Sequence, residues 1–254
     1  MSGRTNTIAD WNSHWLAYAD SAKLNPAQDY RRQRIIAELA IPGDQTVVDI
    51  GSGQGDMAAD LRTAFPWATI LGLELSASGV QIAQRKVPTA FFIQADLMLA
   101  QTPEPKWKSA ADFAVCSEVL EHLTDPEVFL RNIQAYLKPG AKLVVTVPGG
   151  PMSYFDRHIG HQGHFTAERL AKVLSAAGFT DVRVDRAGFP FFNLYRLVVI
   201  ARGAALVQDA SRDSRGFGAW LSRAVMRVFA LLFRLNLPRS PWGWQMVARA
   251  TAPK

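Results

Sequence analysis

Three groups of residues in this chain have the types and spacing that chemistry needs: a glycine turn led by an acid, two further acids at the ends of strand-like runs, and a set of histidines. The run from Val47 to Asp56 passes from an apolar strand through Gly51, Ser52, Gly53 and Gly55 into a helix. Glycines carry no Cβ, so the backbone can turn with positive φ and a ligand can lie directly on the peptide planes. The spacing is G-x-G-x-G and not the G-x-G-x-x-G of a dinucleotide fingerprint. Asp49, just before the turn, repels a pyrophosphate and favours a ligand bearing an amino or sulfonium group. Glu74 closes the run Thr69–Leu73, near the spacing of about 20 residues at which an acid on the next strand accepts both ribose hydroxyls. Asp96 follows the run Ala90–Gln94 and is placed for an exocyclic adenine amine.

Five histidines occur, at 14, 122, 158, 161 and 164. His158, His161 and His164 repeat every third residue on a glycine-containing loop. That pattern matches no closed metal site, and no cysteine is near to assist, so no metal is expected. A histidine pKa lies near neutrality, which suits proton transfer.

The elements that must position these groups follow from the apolar pattern. Runs of about five apolar residues alternate with helical patterns, the signature of βαβ units and a parallel sheet. Two helices are expected before the first strand, over 7–19 and 29–39; the first carries Trp11, Trp15 and Tyr18 at helical spacing. Asp112–Leu123 reads as the fourth strand with its carboxyl-end loop, and Leu137–Pro148 as the fifth. Phe179–Arg186 reads as the sixth, after a helix over 166–177 that Thr166 caps. The seventh is placed at Gly243–Ala250, with Tyr195–Ala201 as the alternative. An insertion of about fifty residues, 188–241, then separates strands six and seven and holds apolar helical stretches over 191–206 and 217–235.

This ordered set resembles the class I S-adenosylmethionine-dependent methyltransferases, with a likeness to the ubiquinone-biosynthesis and tailoring O-methyltransferases, over roughly residues 30–188 plus the last strand. The resemblance implies an α/β, Rossmann-like seven-stranded sheet whose last strand is antiparallel. It implies S-adenosylmethionine as cofactor and S-adenosylhomocysteine as product, held by Asp49, Gly51, Ser52, Gly53, Gly55, Glu74, Leu75, Asp96, Leu97 and Ser117. It also implies that the amino-terminal helix closes over the cofactor and that His122, after strand four, lies where the methyl group emerges. Transfer to a hydroxyl needs a base. His158 or His161 is the first candidate and His122 the second, with His164 bracing its loop. The expected activity is O-methylation of an amphipathic, lipid-linked or glycosidic acceptor; N- or C-methylation, or a non-catalytic cofactor-binding partner, are the alternatives.

Composition fits a single methyltransferase domain over 1–254, with N-terminal helices over 1–40 and a helical cap over 188–241. Hydrophobic residues make up 48% of the chain, which excludes general disorder. The lone Cys116 permits no internal disulfide, and residues 1–10 lack a signal-peptide apolar core, so a cytoplasmic location is expected. Residues 183–254 hold 12 basic and three acidic side chains, a net +9, while residues 1–182 are net −3. Arg223, Arg227 and Arg234 form a narrow stripe on an otherwise apolar helix. That helix reads as a lid, as a homodimer contact or as a peripheral membrane contact through 217–235. Bulky aliphatics between the arginines argue against nucleic acid. The expected partner is a small-molecule acceptor.

Overall fold

The computed structural model describes residues 11–13, 15, 25–203 and 217–254. Most of the expected helix over 7–19, including His14, the end of the stretch over 191–206 and the Arg223 side chain lie outside what is described. The central strands are short and apolar on both faces, as buried parallel strands must be. They run β1 (Thr46–Ile50), β2 (Thr69–Glu74), β3 (Phe91–Gln94), β4 (Ala111–Ser117), β5 (Leu137–Pro148), β6 (Thr180–Ala187) and β7 (Gln245–Thr251). Their order in one sheet is β3-β2-β1-β4-β5-β7-β6. β7 pairs antiparallel with both β5 and β6; the other pairs are parallel. The order reverses beside β1, and the ends of β1 and β4 therefore open a crevice at the carboxyl edge, where ligands bind in such sheets.

Helices cover both faces. α1 (Pro26–Glu38) starts where Pro26 fits the first turn and the Asn25 side chain accepts from the Ala27 amide at 3.0 Å. α2 (Asp56–Ala64), α3 (Ala77–Lys86), α4 (Pro126–Ile133), α5 (Tyr154–His158) and α6 (Ala167–Ala176) follow. Thr166 caps α6 by accepting from the Arg169 amide. One core layer lies between the sheet and α4 and α6, around Leu130, Ile133, Leu170 and Leu174; the other lies beneath α1 and α2, around Ile35 and Leu61. Each of these fully buried aliphatics contributes about 1.5–3 kcal/mol.

The insertion folds as α7 (Phe191–Arg202) and α8 (Phe217–Leu232), the latter ending in a 3-10 turn at Phe233–Leu235. Tyr195–Ala201 is thus helix and not strand, because Phe192, Tyr195 and Val199 recur at helical spacing and pack with Phe229 and Phe233 on Tyr30 of α1.

Candidate active site

The turn after β1 is built as its glycines demand. Gly51, Gly53 and Gly55 have φ of 72°, 52° and 83°. The amides of Gly51 and Ser52 donate to Leu73 O at 2.8 and 3.0 Å, and that of Gly53 donates to Glu74 Oε2 at 2.9 Å, so turn and second acid form one unit. A Cβ on Gly51 would lie 2.5 Å from Val119, and one on Gly53 would lie 2.7 Å from the Trp15 ring.

Asp49 is 2% exposed, and its Oδ2 has no hydrogen-bond partner among the described residues. Burial first, then the nearby charges of Glu74 and Asp56, push its pKa up to about 7. Ser52 Oγ is buried and likewise without a partner. An orphaned, buried acid and hydroxyl at this turn fit a ligand with an ammonium group. Glu74 Oε1 accepts from the Ser76 amide at 2.9 Å and from the Trp15 indole at 3.4 Å. Burial raises the Glu74 pKa and these donors offset part of the rise.

Trp15 therefore lies across the turn, and its neighbours hold it there. Asn12 Oδ1 accepts from Ser76 Oγ at 2.7 Å, Trp11 stacks on Trp15 at 6.0 Å, and Trp11 meets the His122 ring edge-on at 5.0 Å. The remaining cofactor candidates line the same edge. Asp96 Oδ1 accepts from the Met98 amide at 3.0 Å, a local turn contact. Leu97 is buried and its carbonyl is held by Asn132; the Leu75 carbonyl accepts from Gln94. The Ser117 hydroxyl shares a 2.9 Å hydrogen bond with Thr146 across β4 and β5.

The histidines divide. His122, in a 3-10 turn at Leu120–His122, meets His161 with ring centroids 4.6 Å apart, and His161 meets His164 at 5.5 Å. His158 sits exposed at the end of α5, and no hydrogen bond or ring contact joins it to the other three. The every-third-residue spacing cannot keep all three loop histidines on one side, because α5 ends between His158 and His161 and the chain turns there. Of the two first candidates for a base, only His161 meets His122 after β4.

Hydrogen bonds fix how His161 is presented. His164 Nδ1 lies 3.0 Å from the Gly150 carbonyl, which only accepts, so Nδ1 carries the proton. Neutral His164 then offers a lone pair at Nε2, and His161 Nδ1, 3.3 Å away, must donate to it. His161 Nε2 is left with a free lone pair, a tautomer assigned from the network. Burial, then the neighbouring His122, lower the His161 pKa to about 2; burial lowers that of His164 too. His164 Nε2 is 3.6 Å from Asp156 Oδ2, too long for a hydrogen bond, and a neutral ring makes no ion pair.

Sequence reasoning missed the residues that hold this loop. Ser153 and Asp156 form a capping box at the start of α5, a signature that S-x-x-D displays. Arg196 of α7 clamps Asp156 through Nη1 to Oδ1 at 3.1 Å and Nη2 to Oδ2 at 2.6 Å. Burial would raise the Asp156 pKa, but the hydrogen bonds and charge of Arg196 hold it well below the carboxylate range. Glu118, in the left-handed region at φ 56°, takes Arg31 Nε at 3.1 Å and Gln245 Nε2 at 2.8 Å. Glu121 is 1% exposed, with neither carboxylate oxygen hydrogen-bonded among the described residues. Burial first, then the Glu118 charge, raise its pKa well above the usual range. Donor atoms of Glu121, His122 and His161 lie within 4.8 Å of one another, as do those of Asp156, His161 and His164.

The family described as a methyltransferase domain matches residues 27–184. The chain belongs to that family. Its members of this fold are the class I S-adenosylmethionine-dependent methyltransferases, and S-adenosylmethionine is the cofactor. Among curated relatives, the trans-aconitate 2-methyltransferase of Methylobacterium radiotolerans is 26% identical over 191 residues, which cover 71% of this chain and 70% of that protein. That of Methylobacterium nodulans is 30% identical over 172 residues, 66% of this chain and 62% of its own length. Among solved structures, phosphoethanolamine N-methyltransferase 2 of Haemonchus contortus aligns with a TM-score of 0.59 at 15% identity, over 89% of this chain and 53% of that one. The [4+2]-cyclase SpnF aligns at 0.58 and 22% identity, over 88% and 80%. The chain thus spans about half the length of the Haemonchus enzyme, and these structural likenesses carry the fold.

Proposed function

We propose that this methyltransferase methylates a hydroxyl on an amphipathic acceptor, lipid-linked or glycosidic, with His161 as the general base. Asp49, Ser52, the Cβ-free surface of Gly51, Gly53 and Gly55 and the carboxylate of Glu74 hold the cofactor, with Asp96 and Leu97 beside its adenine, and Leu75 and Ser117 complete that wall. The cofactor supplies a methyl group on a cationic sulfur, ready for direct displacement. The residues around it align the acceptor and take its proton. The observation that carries this reading is the hydrogen-bonded chain Gly150–His164–His161, whose assigned tautomers leave the His161 Nε2 lone pair for the acceptor. A weak base suffices, because a hydroxyl oxygen becomes strongly acidic as its new bond to carbon forms. His122 flanks that nitrogen and aligns the acceptor. Burial keeps both loop imidazoles neutral at physiological pH.

A second reading starts from the relatives named for trans-aconitate and from the +9 net charge of residues 183–254: the acceptor oxygen belongs to a carboxylate. A carboxylate has no proton to lose, so one variant separates the two. Turnover on acceptors found by mass-detected methyl transfer should fall about 10²–10⁴-fold in His161→Ala for a hydroxyl acceptor, the usual worth of a positioned base. Unchanged turnover in a folded variant that still binds cofactor would transfer the assignment to a carboxylate.

A further inference from the structure

We infer that α7 and α8 form a platform that docks on the surface of an anionic lipid bilayer. The two helices turn Phe192, Tyr195, Phe229 and Phe233 inward onto α1. Their outer faces are as apolar as their inner ones. Leu194, Leu197, Val228, Leu231 and, in the turn after α8, Leu235 are each between 47% and 66% exposed. Outside this region the described residues expose only scattered large apolar side chains, such as Trp67 and Leu99. At about 100° per residue, Val228 and Leu231 fall within roughly 60° of one another and Arg227 lies roughly 40° beyond Leu231, while Arg234 and Leu235 follow in the 3-10 turn that ends the helix. Both arginines are exposed, and neither makes an ion pair with a described residue.

Charge chooses the occupant. From Gly188 to Lys254 the acidic residues are Asp209 and Asp213, against ten basic ones. An apolar face bordered by arginines matches a bilayer whose acyl chains receive the aliphatics while anionic headgroups meet the guanidinium groups. A second copy fits worse, because a two-fold contact through this face would bring the arginine rows of both copies together. No helix among the described residues is long and apolar enough to cross a membrane, which leaves contact in the interfacial plane. The inner side of α7 carries Arg196, the clamp of the His161 loop, so the platform backs directly on the active-site crevice.

The inference is independent of the hydroxyl-methylation reading, since docking needs no turnover. The test is co-sedimentation of the full chain with vesicles of phosphatidylglycerol and phosphatidylcholine, and with phosphatidylcholine alone. The wild type should pellet with the anionic vesicles, and less as salt rises. Arg227→Glu/Arg234→Glu and Val228→Glu/Leu231→Glu should each weaken binding by about tenfold or more while cofactor affinity stays unchanged. A wild type that stays in the supernatant with anionic vesicles overturns the inference. So does a dimer in light scattering that Val228→Glu/Leu231→Glu splits, which would make the face a subunit seam.

Discussion

Asp49 shows how one buried residue couples ligand binding to pH. Its carboxyl holds a proton in the fold up to about pH 7, whereas in the unfolded chain it ionises near 3.9. Between those values the folded state binds more protons, so stability should fall as pH rises from about 4 to 7 by roughly 3–4 kcal/mol from this group, an upper figure. Asp49→Asn should abolish that fall, seen as a stability advantage over the ligand-free wild type that grows across the window in urea titrations. The same variant should bind S-adenosylmethionine more weakly in calorimetry, having lost the negative partner of the amino group. An equal advantage at pH 4 and pH 8 would show that Asp49 does not titrate there. Glu121, His122 and His161 converge closely enough to ligate an ion, which makes chelation informative. Acting as base and brace, the histidines should sustain full turnover in a chelator; loss restored only by zinc, iron or magnesium would reassign the cluster.

Two elements reach across the crevice from outside the sheet. α7 supplies Arg196 to Asp156, and removing the arginine leaves a buried carboxylate without its charge partner. Arg196→Ala should cost about 3–5 kcal/mol in denaturant unfolding. Because Arg196 depresses the Asp156 pKa, this stabilisation is present above the unfolded value near 4 and is lost as pH falls below it. The variant's deficit should therefore shrink in acid; a deficit constant from pH 7 to pH 3 would count against the pairing. The amino-terminal segment is the other element. Trp15 covers Gly53 and touches Glu74, both proposed above to hold the cofactor. Addition of S-adenosylmethionine should change tryptophan fluorescence, and Trp15→Ala should remove most of that change. A variant with the wild-type response would mean that Trp15 does not move or sense the ligand.

At the scale of the whole molecule, charge and topology are arranged together. The sheet order puts the Gly51–Gly55 turn, Glu74 and the His122 turn at one edge, while the basic insertion between β6 and β7 reaches the loop after β5 through Arg196 and Asp156. A chimera that replaces 188–241 by a short loop would remove Arg196 along with the platform, so point variants are the cleaner probe of each. Gly53→Val tests the edge itself. Its side chain would meet the Trp15 ring and strain a backbone at φ 52°, and cofactor binding should be lost in calorimetry while the circular dichroism of the sheet persists. Wild-type affinity in that variant would remove the glycine turn from the cofactor site.

The sequence by itself determined the strands, their alternation with helices and the acids at their ends, because periods of 2 and 3.6 residues and glycine punctuation are local properties. β5 falls at Leu137–Pro148, as read, and β6 and β7 lie within two residues of expectation. Tyr195–Ala201 resisted that reading: a short apolar run suits strand or helix until its packing is known. Only the tertiary structure decided which histidines meet. His158 and His161 are three residues apart in sequence, yet the end of α5 separates them, whereas His122 and His161 touch through two loops brought together by β4 and β5. The Arg196–Asp156 clamp, the approach of Trp15 to Glu74 and the burial of Glu121 are likewise contacts between distant segments. No local periodicity encodes them, because they depend on how the insertion and the amino-terminal residues pack against the finished sheet.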